Sequence, residues 1–94
     1  MRKHIGNCTF RIYTEDRPGK RRALIRAITK AYPGFTVYRA RGYWRAQAEK
    51  SLIIEICTGT RDVKRINDLA RKIKTLNKQE AVLVQIVKNE NYIV

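Results

Sequence analysis

Seven consecutive residues, Arg39-Ala40-Arg41-Gly42-Tyr43-Trp44-Arg45, hold three guanidinium groups, a phenol and the chain's one indole. A guanidinium grips two phosphate oxygens at once and also stacks on flat rings. Tyr and Trp rings are platforms for nucleobases, each worth about 1–3 kcal/mol when a base uses it. The segment therefore suits phosphates that carry bases. The competing role for Tyr43 and Trp44 is to close the apolar end of a sheet. A second basic set, Arg17, Lys20, Arg21, Arg22, Arg26 and Lys30, surrounds and follows Pro18-Gly19. Within it Arg22, Arg26 and Lys30 are four apart, on one face of a helix. Such a face either meets an anion or is simply solvated. Amides that open a helix bind anions in general, but Gly19-Lys20 lacks the further glycines of a phosphate-binding loop.

Carboxylates are scarce. Glu55 interrupts an apolar run and Glu49 flanks it. Each is a candidate general base, but the commoner arrangement is a pair with Arg11 or Arg39 on a neighbouring strand. Asp16 is either a metal ligand or, more simply, a turn acid. His4 has no partner visible in the sequence. Cys8 and Cys57 make no C-x-x-C pair and read as packed free thiols. The residue pattern assigns no catalytic residue, metal or cofactor.

These groups must be positioned by one small domain spanning residues 1–94, since domains usually run to ~100–200 residues. The composition, 44% hydrophobic and 31% charged with 5 Gly and 2 Pro, excludes disorder and low complexity. Against 8 Asp and Glu stand 21 Lys and Arg, a formal net charge of +13. So large an excess points to a polyanionic partner, a nucleic acid first and an acidic protein surface second. Residues 1–47 carry 12 basic and 2 acidic side chains, residues 48–94 carry 9 and 6, so the charge concentrates in the first half. No apolar run approaches the ~18 residues of a membrane span. No apolar stretch follows Met1-Arg2-Lys3-His4, so no secretory signal is expected, and the protein is expected in the cytoplasm with its thiols reduced.

The spacing predicts six elements. Cys8 to Thr14 alternates as a strand. Leu24, Ile25, Ile28 and Tyr32 give the apolar face of a helix over about 20–31, stopped by Pro33-Gly34. Phe35 to Arg41 is a second strand, with a loop from Gly42 to Lys50. Ser51 to Thr58 is nearly continuous in apolar residues and reads as a central strand. Val63, Ile66, Leu69, Ala70, Ile73 and Leu76 mark a second helix, ending near Asn77. Glu80 to Val87 is the last strand. The core is then about 8–87, with residues 1–7 and 88–94 as terminal extensions. The order βαββαβ gives an α+β fold: a four-stranded antiparallel sheet, order 4-1-3-2, with two helices on one face. Strands three and four carry apolar residues on both faces, and Tyr92-Ile93-Val94 adds to them, so the helix-free face is expected to pack against another copy.

The βαββαβ order over residues 8–87 resembles the ferredoxin-like superfamily. RNA-recognition motifs within it carry aromatics on strand three, where this chain reads Ser-Leu-Ile-Ile-Glu-Ile-Cys. The CRISPR-adaptation nuclease-like subunits end strand one with an Asp; here Tyr13-Thr14-Glu15-Asp16 displaces that acid. PII-like signalling proteins share the order, and that resemblance implies sheet-mediated trimers and a nucleotide near the Gly42–Lys50 loop. Gly42-Tyr43-Trp44 followed by Glu49-Lys50-Ser51-Leu52-Ile53-Ile54-Glu55-Ile56 resembles small phage and prophage accessory proteins of unassigned function. The expectation is a non-enzymatic, oligomeric, basic protein that contacts nucleic acid phosphates through Arg39, Arg41, Tyr43, Trp44 and Arg45, assisted by Arg22 and Arg26. The alternatives are a PII-like sensor or sequestering protein for a small nucleotide and a metal-dependent nuclease.

Overall fold

The structure, a computed structural model, describes residues 3–94. Strand β1 (Lys3–Glu15) leads through a single 3-10 turn (Pro18–Lys20) into helix α1 (Arg21–Ala31). Strands β2 (Thr36–Trp44) and β3 (Gln47–Thr58) follow as a hairpin. A second 3-10 turn (Thr60–Asp62) opens helix α2 (Val63–Leu76), and β4 (Leu83–Ile93) completes the sheet. The strand order is β2-β3-β1-β4, with every neighbouring pair antiparallel. This is the expected α+β order, with the two most apolar strands in the middle.

Period-two alternation splits the sheet into two unlike faces. Cys8, Phe10 and Ile12 of β1 and Leu52, Ile54 and Ile56 of β3 are buried on one face. They form one core with Leu24 and Ile28 of α1 and with Ile66, Leu69, Ala70 and Ile73 of α2. Ile25, read from the sequence as part of the α1 face, is 38% exposed. The buried stripe is Leu24, Ala27 and Ile28, the i, i+3, i+4 set that one helix face allows. Cys8 is buried, whereas Cys57 is exposed on the other face, so only the first thiol is a core residue.

The strands outrun the expected boundaries at both ends of the sheet. β1 ends where Glu15 pairs with Ser51, while β2 and β3 continue to Trp44 and Gln47. Past that point the hairpin is a two-stranded ribbon, wet on both faces, so no apolar alternation announces it. The loop expected at Gly42–Lys50 is a two-residue turn instead. At the opposite end β1 and β4 form a second ribbon, where Lys3 pairs with Ile93 and His4 with Tyr92. Of the residues expected as terminal extensions, 3–7 and 88–93 therefore lie in strands, and 1–2 lie outside the described residues. Gly6 lets this ribbon leave β3: its φ is +135°, and a Cβ there would lie 2.1 Å from the Thr58 carbonyl carbon. The ladder shifts register on both sides of Gly6, which only a residue free of Cβ allows at this backbone.

Candidate functional site

Arg45 and Ala46 make the whole hairpin turn, both left-handed, with φ of 49° and 65°. Positive φ at both central residues is the geometry that matches strand twist in a two-residue turn. Along β2 the alternation sends Arg39, Arg41 and Tyr43 to the core side of the ribbon and Tyr38 and Trp44 to the other. Register places Lys50 opposite Arg41. The Asp16 amide donates to the Lys50 carbonyl at 2.9 Å, which brings the end of β1 against the hairpin. Asp16, Arg21, Arg39, Arg41 and Lys50 thus line one groove of about 380 Å³.

The groove's one carboxylate is already engaged. Arg21 donates from Nε to Asp16 Oδ1 at 2.6 Å and from its terminal nitrogen to Oδ2 at 2.5 Å. That two-pronged bond holds the Asp16 carboxyl below the usual carboxylate range, with Arg39 and Lys50 adding their charge. Both oxygens of this candidate metal ligand therefore face a guanidinium. Among the described residues, Arg39, Arg41 and Lys50 have no ion-pair partner. Among the same residues, no three His, Cys, Asp or Glu side chains gather as metal ligands would.

The remaining candidates are spread out. Tyr43 and Trp44 are 70% and 66% exposed, and the Arg45 guanidinium lies 5.6 Å from the Trp44 ring centre. Arg22 and Arg26 are exposed on α1. The structure thus gathers Arg39 and Arg41 with Arg21 and Lys50, and leaves Trp44 and Arg45 at the ribbon tip. Sequence reasoning passed over Lys50, whose place opposite Arg41 follows only from the hairpin register. It also read Asn77 merely as a helix stop. The buried Asn77 amide donates to Thr14 Oγ1 at 2.8 Å and to the Glu15 carbonyl at 3.0 Å, tying the end of α2 to β1.

The outer face of the sheet has a different chemistry. At its centre Arg11 Nε donates to Glu55 Oε2 at 2.7 Å, the cross-strand pair expected for this carboxylate. The Tyr38 hydroxyl donates to the same oxygen at 3.3 Å, and the Tyr13 hydroxyl donates to Gln85 Oε1 at 3.2 Å. The bond to Glu55 raises the Arg11 pKa. Burial, and then Glu55, raise that of Tyr38. By register Glu15, Glu49 and Glu55 lie on this face with Arg11. Glu15 is paired with Arg17 at 2.7 Å. Glu49 has no ion pair among the described residues and sits opposite Gly42, which offers no side chain to cover it.

No protein-family model matches the sequence, and no curated protein matches it. Solved structures do match the fold. A phage SAM lyase in its apo state superposes with a TM-score of 0.69 at 19% identity, over 94% of this chain and 89% of that one. CutA from Synechococcus elongatus, complexed with a Bis-Tris molecule, gives 0.65 at 9% identity, over 94% and 85%. The periplasmic divalent cation tolerance protein CutA from Archaeoglobus fulgidus gives 0.55 at 9% identity, over 89% and 85%. With the strand order and the helix positions in sequence, these likenesses give the chain the ferredoxin-like fold.

Proposed function

We propose that the outer sheet face binds a small cationic nucleoside, with S-adenosylmethionine as the candidate, and that the chain acts on it as a lyase. The observation that carries this reading is the charge of the face: of its three Glu, Glu55 pairs with Arg11 and Glu15 with Arg17, which leaves Glu49 without an ion pair among the described residues of a chain of net charge +13. A sulfonium is drawn to carboxylates and to the faces of aromatic rings, as other ligand cations are. Glu49 supplies the carboxylate that no Arg or Lys among the described residues neutralises, and Trp44 the flat ring for the adenine. The fold likeness to a phage SAM lyase along nearly the whole chain supports the choice of ligand. In this reading both helices lie on one face of the sheet and a second copy of the chain covers part of the other. A homo-oligomer then scatters light as more than 11 kDa. The cytoplasm suits the exposed Cys57 thiol, which a reducing compartment keeps free. Incubating the protein with S-adenosylmethionine and following the compound by chromatography tests the reading. Time-dependent loss is expected, slowed by Glu49→Gln; no loss at high protein concentration would sink it.

A second reading is favoured by the groove. Three cations without carboxylate partners among the described residues, Arg39, Arg41 and Lys50, share the side of the ribbon that bears the exposed Tyr43 ring, with Trp44 at the tip on the other side, which suits a single-stranded nucleic acid held without catalysis. Arg45 at the tip and Arg22 and Arg26 on α1 extend it. Binding of a mixed single-stranded oligonucleotide to Arg41→Ala, Arg45→Ala and Trp44→Ala is expected to weaken, with Lys88→Ala as the distant control. Equal weakening in the control removes the site.

A further inference from the structure

The two helices carry a cationic surface that neither of the readings above uses in full. Residues 16–33 and 59–79 together hold thirteen Lys and Arg against three Asp. Two of those Asp have an Arg at 2.5–2.9 Å, Asp16 with Arg21 and Asp68 with Arg71. Between α1 and α2 runs a groove floored by Ala27, Ala31 and Leu69 and rimmed by Lys30, Arg65 and Lys72, with one carboxylate, Asp68, which Arg71 engages at 2.9 Å. Small side chains on the floor let an incoming ridge sit low, within reach of cations on both rims. One rim is held in place: Arg65 donates to the Ala31 carbonyl and stacks 4.6 Å from the Tyr32 ring centre. Arg22, Arg26 and Lys30 continue the charge along α1 at four-residue steps, about 6 Å each.

What this surface lacks decides its ligand. The exposed Tyr and Trp rings among the described residues, Tyr38, Tyr43, Trp44 and Tyr92, all belong to strands. Single-stranded nucleic acids are held largely by stacking their bases on such rings. A duplex presents backbone instead, and its phosphates ask only for cations. We infer that the groove between α1 and α2 seats the sugar–phosphate backbone of a double-stranded nucleic acid, without reading its sequence. The inference shares with the hairpin reading only the class of partner. It uses another surface and another form of nucleic acid.

The test is fluorescence anisotropy with a labelled duplex and a single strand of equal length, across a salt series. Wild type is expected to prefer the duplex, with log affinity falling by about 0.9 per log salt for each phosphate neutralised. Lys30→Ala and Lys72→Ala are each expected to reduce that slope by about one, alike for unrelated duplex sequences. Arg41→Ala and Trp44→Ala are expected to leave duplex binding unchanged. Duplex binding that survives Lys30→Ala combined with Lys72→Ala overturns the inference while leaving the hairpin reading standing. Single-strand binding that survives Arg41→Ala, with duplex binding lost in the Lys30→Ala and Lys72→Ala combination, does the reverse. Poly-glutamate that competes as well as duplex, with the same dependence on Lys30 and Lys72, makes the surface one for acidic proteins and overturns the nucleic-acid assignment.

Discussion

Thirteen Lys and Arg meet three Asp across the two helices and their flanking turns, while the outer face of the paired strands carries three Glu, of which Arg11 and Arg17 engage two. The two surfaces are built on the same strands, back to back. In β3, Leu52, Ile54 and Ile56 face the core while Ser51, Glu55 and Cys57 face outward. A total charge of +13 therefore describes neither side. It suggests one anionic ligand for the whole molecule, whereas the arrangement gathers cations on the helices and leaves Glu49 without an ion pair, among the described residues, on the outer face of the sheet. Total charge speaks to solubility and encounter, and its placement to what is held.

Disrupting the shared frame is expected to have the largest effect, and to strike both surfaces alike. Ile54 is fully buried at the centre of the core. Ile54→Ala is expected to cost about 2–5 kcal/mol in denaturant unfolding. If one surface's binding survives this loss intact, the two do not share a frame. A smaller change is expected where the outer face is joined across strands. Glu55→Gln removes the partner of Arg11 and makes the face less acidic. It is expected to lower the melting temperature more than it lowers ligand affinity, since Glu55 is engaged by Arg11 and Tyr38. Lost ligand binding at unchanged melting temperature would instead place chemistry at Glu55.

On the basic side, Asp16 is the carboxylate whose loss sharpens the contrast. Its pKa is held below the ordinary value of about 3.9 by Arg21. A depressed carboxylate contributes stability above its unfolded pKa and loses it as pH falls through the folded value. Asp16→Asn is therefore expected to be less stable at neutral pH and to lose less on acidification from about pH 4. It also frees Arg21, so anion binding in the groove is expected to rise. An acid limb identical to wild type contradicts the pairing. The smallest expected effect lies at the hairpin tip. Ala46 has φ of 65°, a left-handed conformation that costs an L-residue about 1–2 kcal/mol. Ala46→Gly is expected to raise stability by up to about 1 kcal/mol, part of the relief being offset by glycine's entropy. Both surfaces should be untouched in that variant.

Much of the frame was legible in the sequence because buried strands and helices write their period into apolar residues. Leu52 to Cys57 and the Val63–Leu76 stripe gave their elements directly, and with them the order βαββαβ. The Arg11–Glu55 pair was legible too, as an acid interrupting an apolar strand in an arginine-rich chain. The ribbons were not, because strands wet on both faces carry no apolar alternation, so Gly42 read as an end and residues 88–93 as a tail. Without the hairpin register, the seven residues from Arg39 to Arg45 looked like a single cluster. Alternation sends Trp44 to one face and Arg41 to the other, and Lys50 joins the groove only through its partner across the turn.

Whether the outer face takes a cationic nucleoside is tested most directly by a paired calorimetric titration. S-adenosylmethionine and its neutral thioether counterpart, S-adenosylhomocysteine, would each be titrated into wild type and into Glu49→Gln. The two ligands share the adenosine and differ at the sulfur, so the difference in their affinities reports on the positive charge. Tighter binding of the sulfonium is expected in wild type, and a much smaller preference once Glu49 is neutral. Equal affinities in wild type, or a preference that Glu49→Gln leaves intact, would contradict the assignment of the sulfonium to Glu49 on this face.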